Sequence, residues 1–186
     1  MASFIEKRKV DEYLKRIKQG ESSALADLYE LTAKKLYSLC YTYMHNHHDS
    51  EDALSETYLA IVRNLEKYKG KSGYNWIYTI AKNICLNMLL KNSRAESVDF
   101  EDEETVNSLP VLYSDEIKIY DESGIIAFSE KLLGENEFRI VIMHAVNEMR
   151  FAEIAQIIGG LESTVRWQYN NAIKKIKNAY ERGQAK

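Results

Sequence analysis

The chain has 186 residues, 45% of them hydrophobic and 28% charged, with one proline and eight glycines. This is enough apolar residue for one or two small cores and a composition that favours helix over sheet. No apolar run reaches the roughly 18 residues of a membrane span, and the opening Met1-Ala-Ser-Phe-Ile-Glu-Lys-Arg-Lys lacks the apolar stretch of a secretory signal, so a cytoplasmic protein without membrane insertion is expected. The net charge of −3 conceals three blocks: +4 over residues 1–94, −11 over 95–137 and +4 over 138–186.

Asp11 to Lys18 reads as a short amphipathic helix with Tyr13, Leu14 and Ile17 inward, ended by Gly20. A longer helix follows from a cap at Ser22 or Ser23 to about Tyr43, on the stripe Leu25, Leu28, Leu36, Leu39 and Cys40. His45 to Asp49 reads as a polar turn. Asp49 is expected to cap the next helix, with Asp52 in its first turn and Ala53, Leu54, Tyr58, Ile61, Val62 and Leu65 inward, out to about Tyr68. Lys69-Gly-Lys-Ser-Gly73 reads as a basic loop, and a fourth helix runs from about Tyr74 to Lys91. Cys40 and Cys85 each sit in an apolar helical pattern, as buried reduced thiols would.

From Arg94 to about Glu116 the periodicity dissolves among acidic residues and Pro110, which marks 95–116 as an acidic linker. Helical spacing resumes near Ile117 to Leu133 and again at about Glu137 to Asn147. Phe151-Ala-Glu-Ile-Ala-Gln-Ile-Ile-Gly-Gly-Leu-Glu-Ser-Thr-Val-Arg-Trp-Gln-Tyr169 then reads as helix, tight turn, helix. Ile154, Ala155, Ile157 and Ile158 face inward, Gly159-Gly160 makes the break, and Ser163 is the expected N-cap. The closing helix runs to about Tyr180, with Ala172, Ile173 and Ile176 inward. This is the layout of a DNA-binding helix-turn-helix, whose second helix enters the major groove. The expected fold is therefore all-α: two small helical domains, 1–94 and 117–186, joined by an acidic flexible linker over 95–116.

The candidate DNA contacts at this end are Ser163, Thr164, Arg166, Trp167, Gln168, Asn171 and Lys175. Polar side chains there reach phosphates or base edges, and Trp167 either meets a thymine methyl or packs on backbone. Gln168 and Asn171 favour adenine, which predicts a DNA site less dependent on guanine.

Asp49-Ser-Glu-Asp-Ala-Leu-Ser-Glu56, followed by Trp76-Ile-Tyr-Thr-Ile-Ala-Lys-Asn83, resembles the second conserved region of bacterial sigma factors. Glu153-Ile-Ala155 and Thr164-Val-Arg166 resemble the fourth region. A chain of this length with these two regions in this order is similar to the extracytoplasmic-function (ECF) group. The resemblance implies that Asp49, Asp52, Ser55 and Glu56 bind core RNA polymerase. It also implies that Tyr68, Lys69, Lys71, Tyr74, Trp76 and Asn83 engage the −10 promoter element, and that the C-terminal helix reads the −35 element. Lys69 and Lys71 suit phosphates. Tyr68 and Tyr74 either stack on unpaired bases or fill the core, and Trp76 is open to the same two readings. By the same resemblance, the acidic linker threads toward the polymerase cleft, and an anti-sigma factor is a common partner.

A stand-alone helix-turn-helix regulator is the rival reading, but it would not need the 49–83 segment. His45-Asn-His-His-Asp49 looks superficially like a metal site, yet no further ligand motif, phosphate loop or nucleophile elbow accompanies it. No cofactor, metal or catalytic residue is expected, and the chain is expected not to be an enzyme.

Overall fold

The computed structural model describes residues 4–95 and 125–184; the expected linker, and the helix expected before residue 125, lie outside them. Among the described residues every regular element is helical: α1 (Phe4–Lys18), α2 (Ser23–Met44), α3 (His47–Arg63), α4 (Gly73–Ala95), α5 (Ile125–Leu132), α6 (Glu135–Val141), α7 (Phe151–Ile158) and α8 (Glu162–Gln184).

Helices α1 to α4 form a bundle around Val10, Leu14, Leu28, Leu36, Leu39, Ile61, Ile77 and Tyr78. Their apolar spacing explains the arrangement, since each helix buries one stripe against the others. Cys40 and Cys85 are buried in this core as free thiols. Helix α1 begins seven residues earlier than expected. Its extra turns are anchored by Glu6, which accepts from Lys35 Nζ at 2.8 and 2.9 Å, and by the fully buried Val10.

Asn46, not Asp49, caps α3. Its side chain accepts from the Asp49 amide at 2.8 Å and donates to the Asp49 carboxylate at 2.7 Å. An asparagine caps as well as an aspartate, so the helix starts one turn sooner and absorbs His47 and His48. His45 takes up the left-handed backbone that ends α2, at φ 57°. Helix α3 also ends early, at Arg63, where the Asn64 side chain donates to the Ala60 carbonyl at 2.8 Å. A short 3₁₀ turn, Leu65–Lys67, then tucks Leu65 into the core.

The C-terminal half folds as α5 to α8. A π-helical turn, Ile142–Val146, continues α6, and Asn147 N donates to Ile142 O at 3.0 Å. Helices α7 and α8 meet across Gly159 and Gly160, at φ 86° and 122°, values that favour glycine. Ser163 is not the cap of α8. The first helical hydrogen bond runs from Val165 N to Leu161 O, and Glu162 occupies the helix start, where a carboxylate suits the dipole. Ile173, expected inward, is instead exposed because the inner stripe runs through Val165, Ala172 and Ile176.

The two halves share a core. Ile140, Met143, Met149, Ile154 and Ile157 belong to the same buried cluster as the bundle residues. Polar contacts stitch the same seam. Asn147 is fully buried; its side chain accepts from Ser38 Oγ at 2.7 Å and donates to Lys35 O at 3.1 Å, while its carbonyl accepts from Tyr74 Oη at 3.1 Å. Lys7 Nζ meets the buried Glu153 carboxylate at 2.5 and 2.6 Å, and Arg139 lies 3.7 Å over the Tyr43 ring.

Candidate polymerase and nucleic-acid interfaces

Three surfaces carry the residues singled out in the sequence. The first is the outward face of α3. Asp52 and Ser55 are exposed there, Glu56 is half-buried, and Asp49 sits in the first turn. Asp52 pairs loosely with His48 at 3.7 Å, and Glu56 accepts from Arg63 at 2.9 Å. Exposed Glu51 and Val62 and half-buried Leu59 complete this stripe. The sequence pattern does not single out Glu51 or Leu59, and it places Val62 inward; Val62 is instead exposed because the inner stripe runs through Ala53, Leu54, Tyr58 and Ile61.

The second surface surrounds the start of α4. Lys69 and Lys71 are exposed in the loop. Tyr68 and Tyr74 are buried, at 6% and 2% exposure, so in this arrangement neither ring offers a face to a base. Tyr68 Oη donates to Asp11 and its ring packs tilted against Trp76, with centroids 5.2 Å apart. Tyr74 stacks on Tyr78 at 4.7 Å. Burial raises the Tyr74 phenol well above its ordinary range, with the Tyr78 hydroxyl acting the other way, so Tyr74 stays neutral. Nothing in the sequence marks Asp11. It accepts from the Gly73 amide at 2.6 Å and so fixes both ends of the basic loop. Half-buried Trp76 and Thr79 and exposed Asn83 share one stripe of α4. Lys82 donates to Ile157 O at 2.8 Å, and Asn75 to Gln156 at 3.0 Å, so the end of α7 abuts this surface.

The third surface is α8. Ser163, Thr164, Arg166 and Trp167 are exposed, while Gln168 and Asn171 are half-buried. Arg166 donates to Glu162 at 2.6 Å and lies 5.0 Å over the Phe151 ring. Asn171 and Lys175 both donate to Glu137 of α6, at 3.0 and 2.8 Å. His144 is held between Phe151 and Tyr169, at 4.1 and 4.5 Å, and its Nδ1 donates to Met149 O at 2.7 Å. It braces the helix-turn-helix from behind.

The histidine-rich turn disperses. His45 pairs with Glu130, His47 with Tyr37 and His48 with Asp52. Among the described residues no three His, Cys, Asp or Glu side chains converge as a metal set would require. No described helix is long and apolar enough to cross a membrane.

Residues 28–95 match the family pattern of sigma-70 region 2, which takes in the acidic face of α3 and the stripe of α4. The chain is 24% identical to the ECF RNA polymerase sigma factor SigW of Bacillus subtilis, over 95% of this chain and 97% of that relative. It is 24% identical to the ECF RNA polymerase sigma factor SigE of Mycolicibacterium smegmatis over 86% of this chain, which spans 63% of that longer relative. In fold it is similar to CnrH, solved with the cytosolic domain of CnrY, at a TM-score of 0.63 and 13% identity, covering 93% of this chain and 97% of CnrH. A second fold match is the sigma factor RpoE of Bartonella quintana, solved with the anti-sigma factor NepR. There the TM-score is 0.60 at 17% identity, covering 82% of this chain and 94% of RpoE. Residues 28–95 thus carry a sigma-70 region 2 pattern, and over nearly its whole length the chain is similar to an ECF RNA polymerase sigma factor.

Proposed function

We propose that this chain acts as an alternative sigma factor that binds core RNA polymerase and directs initiation at its own class of promoter. The observation that carries the reading is the sigma-70 region 2 match on α2 to α4, completed by an exposed helix-turn-helix in α7 and α8. A stand-alone DNA-binding regulator has no use for the α3 face.

On this reading the chain works as two units, 1–94 and 117–186, joined through 95–116. Asp49, Asp52, Ser55 and Glu56 meet basic residues of the polymerase. Lys69 and Lys71 hold promoter phosphates, and the Trp76–Asn83 stripe receives the unpaired strand of the −10 element. Tyr68 and Tyr74 act from beneath, as pillars of that loop. Helix α8 reads the −35 element in the major groove. The chain performs no bond chemistry; strand opening is driven by binding energy for unstacked bases. Its place is the cytoplasm, with the polymerase. Both fold neighbours were solved with a protein partner, and an anti-sigma factor is the proposed regulator of this chain as well.

The test is transcription in a defined system. Core RNA polymerase with the full chain should give discrete transcripts from a promoter library, and Asn83→Ala should cut open-complex formation by roughly tenfold, the scale of one lost base contact. A library transcribed no better with the chain than without it would rule the reading out.

A further inference from the structure

The geometry of α8 divides its polar residues into two groups. A helix advances about 100° per residue. Val165 and Ala172, buried at 2% and 0%, mark its inward side. Ser163, Trp167, Asn170 and Lys174 follow one another at spacings of four, three and four, on the opposite side, and all are exposed. Trp167 is 66% exposed. Gln168 and Asn171 lie on a flank, half-buried, and Lys175 lies on the same flank.

That flank is already occupied. Glu137 accepts from Asn171 Nδ2 at 3.0 Å and from Lys175 Nζ at 2.8 and 2.7 Å. Its position is fixed from the other side by the Gly134 amide, at 3.4 Å. The Lys175 hydrogen bond, opposed by burial and helped by Asn171, holds the Glu137 carboxyl below the ordinary range, so it is ionised at neutral pH. Paired in this way, the Asn171 amide and the Lys175 ammonium are engaged within the protein, which disfavours that flank as the groove-facing side.

We infer that sequence is read by the outward ridge Ser163, Trp167, Asn170 and Lys174, with Asn170 as the adenine-reading side chain, while Glu137 holds Asn171 and Lys175 away from the groove. The inference rests on the promoter-recognition reading above and deepens it. An asparagine amide matches adenine N6 and N7 bidentately, and the Trp167 ring one turn away offers an apolar face to a thymine methyl. Lys174, at the far end of the ridge, suits a phosphate. The preferred upstream element therefore carries an adenine at a fixed distance from a thymine, both set by this ridge.

The experiment is selection from a double-stranded DNA library randomised over the upstream element, using the full chain assembled on core RNA polymerase. The wild type should enrich one adenine position. Asn170→Ala should reduce that preference by roughly 5- to 150-fold, the range for one bidentate base contact, and should shift the base profile more than Asn171→Ala does. The opposite order, with Asn171→Ala or Gln168→Ala erasing the preference and Asn170→Ala leaving it, overturns the inference while leaving promoter recognition standing. Asn170 is exposed, so its loss leaves packing intact. A wild-type assembly that enriches nothing overturns the promoter reading and the inference together.

Discussion

Gly73 carries a constraint out of proportion to its size. A Cβ there would lie 2.6 Å from Leu14 Cδ1 and 2.7 Å from Asp11 Oδ1, and that same oxygen accepts the Gly73 amide. Gly73→Ala should therefore destabilise the bundle by ~1–3 kcal/mol through overpacking, read as a lower midpoint in urea; an unchanged midpoint would show that the loop tolerates the shift. Asp11 also receives the Tyr68 hydroxyl, so one carboxylate organises the loop between α3 and α4. None of this is legible in the sequence. Asp11 lies 62 residues from Gly73, and an aspartate early in an amphipathic helix looks like any solvated one. The two tyrosines are open to either reading in the sequence because an aromatic beside a basic loop serves a core or a base equally well. In this arrangement Tyr74 is buried and donates to the Asn147 carbonyl, while Tyr68 is buried against Trp76 and Asp11.

At the scale of elements, the type of each helix is readable in the sequence, as are the ends of α2, whereas the starts of α1, α3 and α8 are not. Apolar periodicity marks α2, α3, α4 and α7 because each buries a single stripe. The start of α3 shifts by one turn because Asn46 and Asp49 compete for the cap. The π-turn after α6 has no signature in an apolar run such as Ile142-Met143, yet it delivers Asn147 to the seam. Helix α7 is secured by Glu153, which accepts from the Arg150 amide at 2.9 Å and from Lys7 at 2.5 Å. Burial alone would raise this carboxyl, but Lys7, the Arg150 side chain and the Arg150 amide together hold it below the ordinary range. A depressed carboxyl contributes stability above its unfolded pKa of about 4.3 and loses it as pH falls toward the folded value. Glu153→Gln should thus cost ~1–3 kcal/mol at pH 7, and the gap from wild type should narrow as pH falls below the unfolded value. A gap that stays constant or widens over that range would show that the ionised pair adds nothing.

For the whole molecule, the composition indicates two helical blocks, and the structure adds that they close on one another. The contact is partly apolar, through Met143, Met149 and Ile157, and partly polar, through Asn147, Glu153 and Lys82. Sequence could not show it, because residues on each side of a seam look like ordinary core and ordinary surface until both sides are in place. The free chain should unfold in a single urea transition. Trp76 reports on the bundle and Trp167 on the C-terminal half, and single-tryptophan variants should give coincident curves; separated midpoints would show that the shared core does not couple the halves. On the proposed reading, function as a sigma factor depends on the acidic face of α3 meeting the polymerase. The most direct measurement is co-elution of the purified chain with core RNA polymerase on gel filtration, for the wild type and for Asp52→Lys. Asp52 is exposed, so its replacement leaves the fold intact. The expected result is a stable complex that Asp52→Lys weakens by about tenfold or more, as reversing one interfacial charge should. A folded chain that fails to bind the polymerase at micromolar concentration would contradict the sigma-factor role.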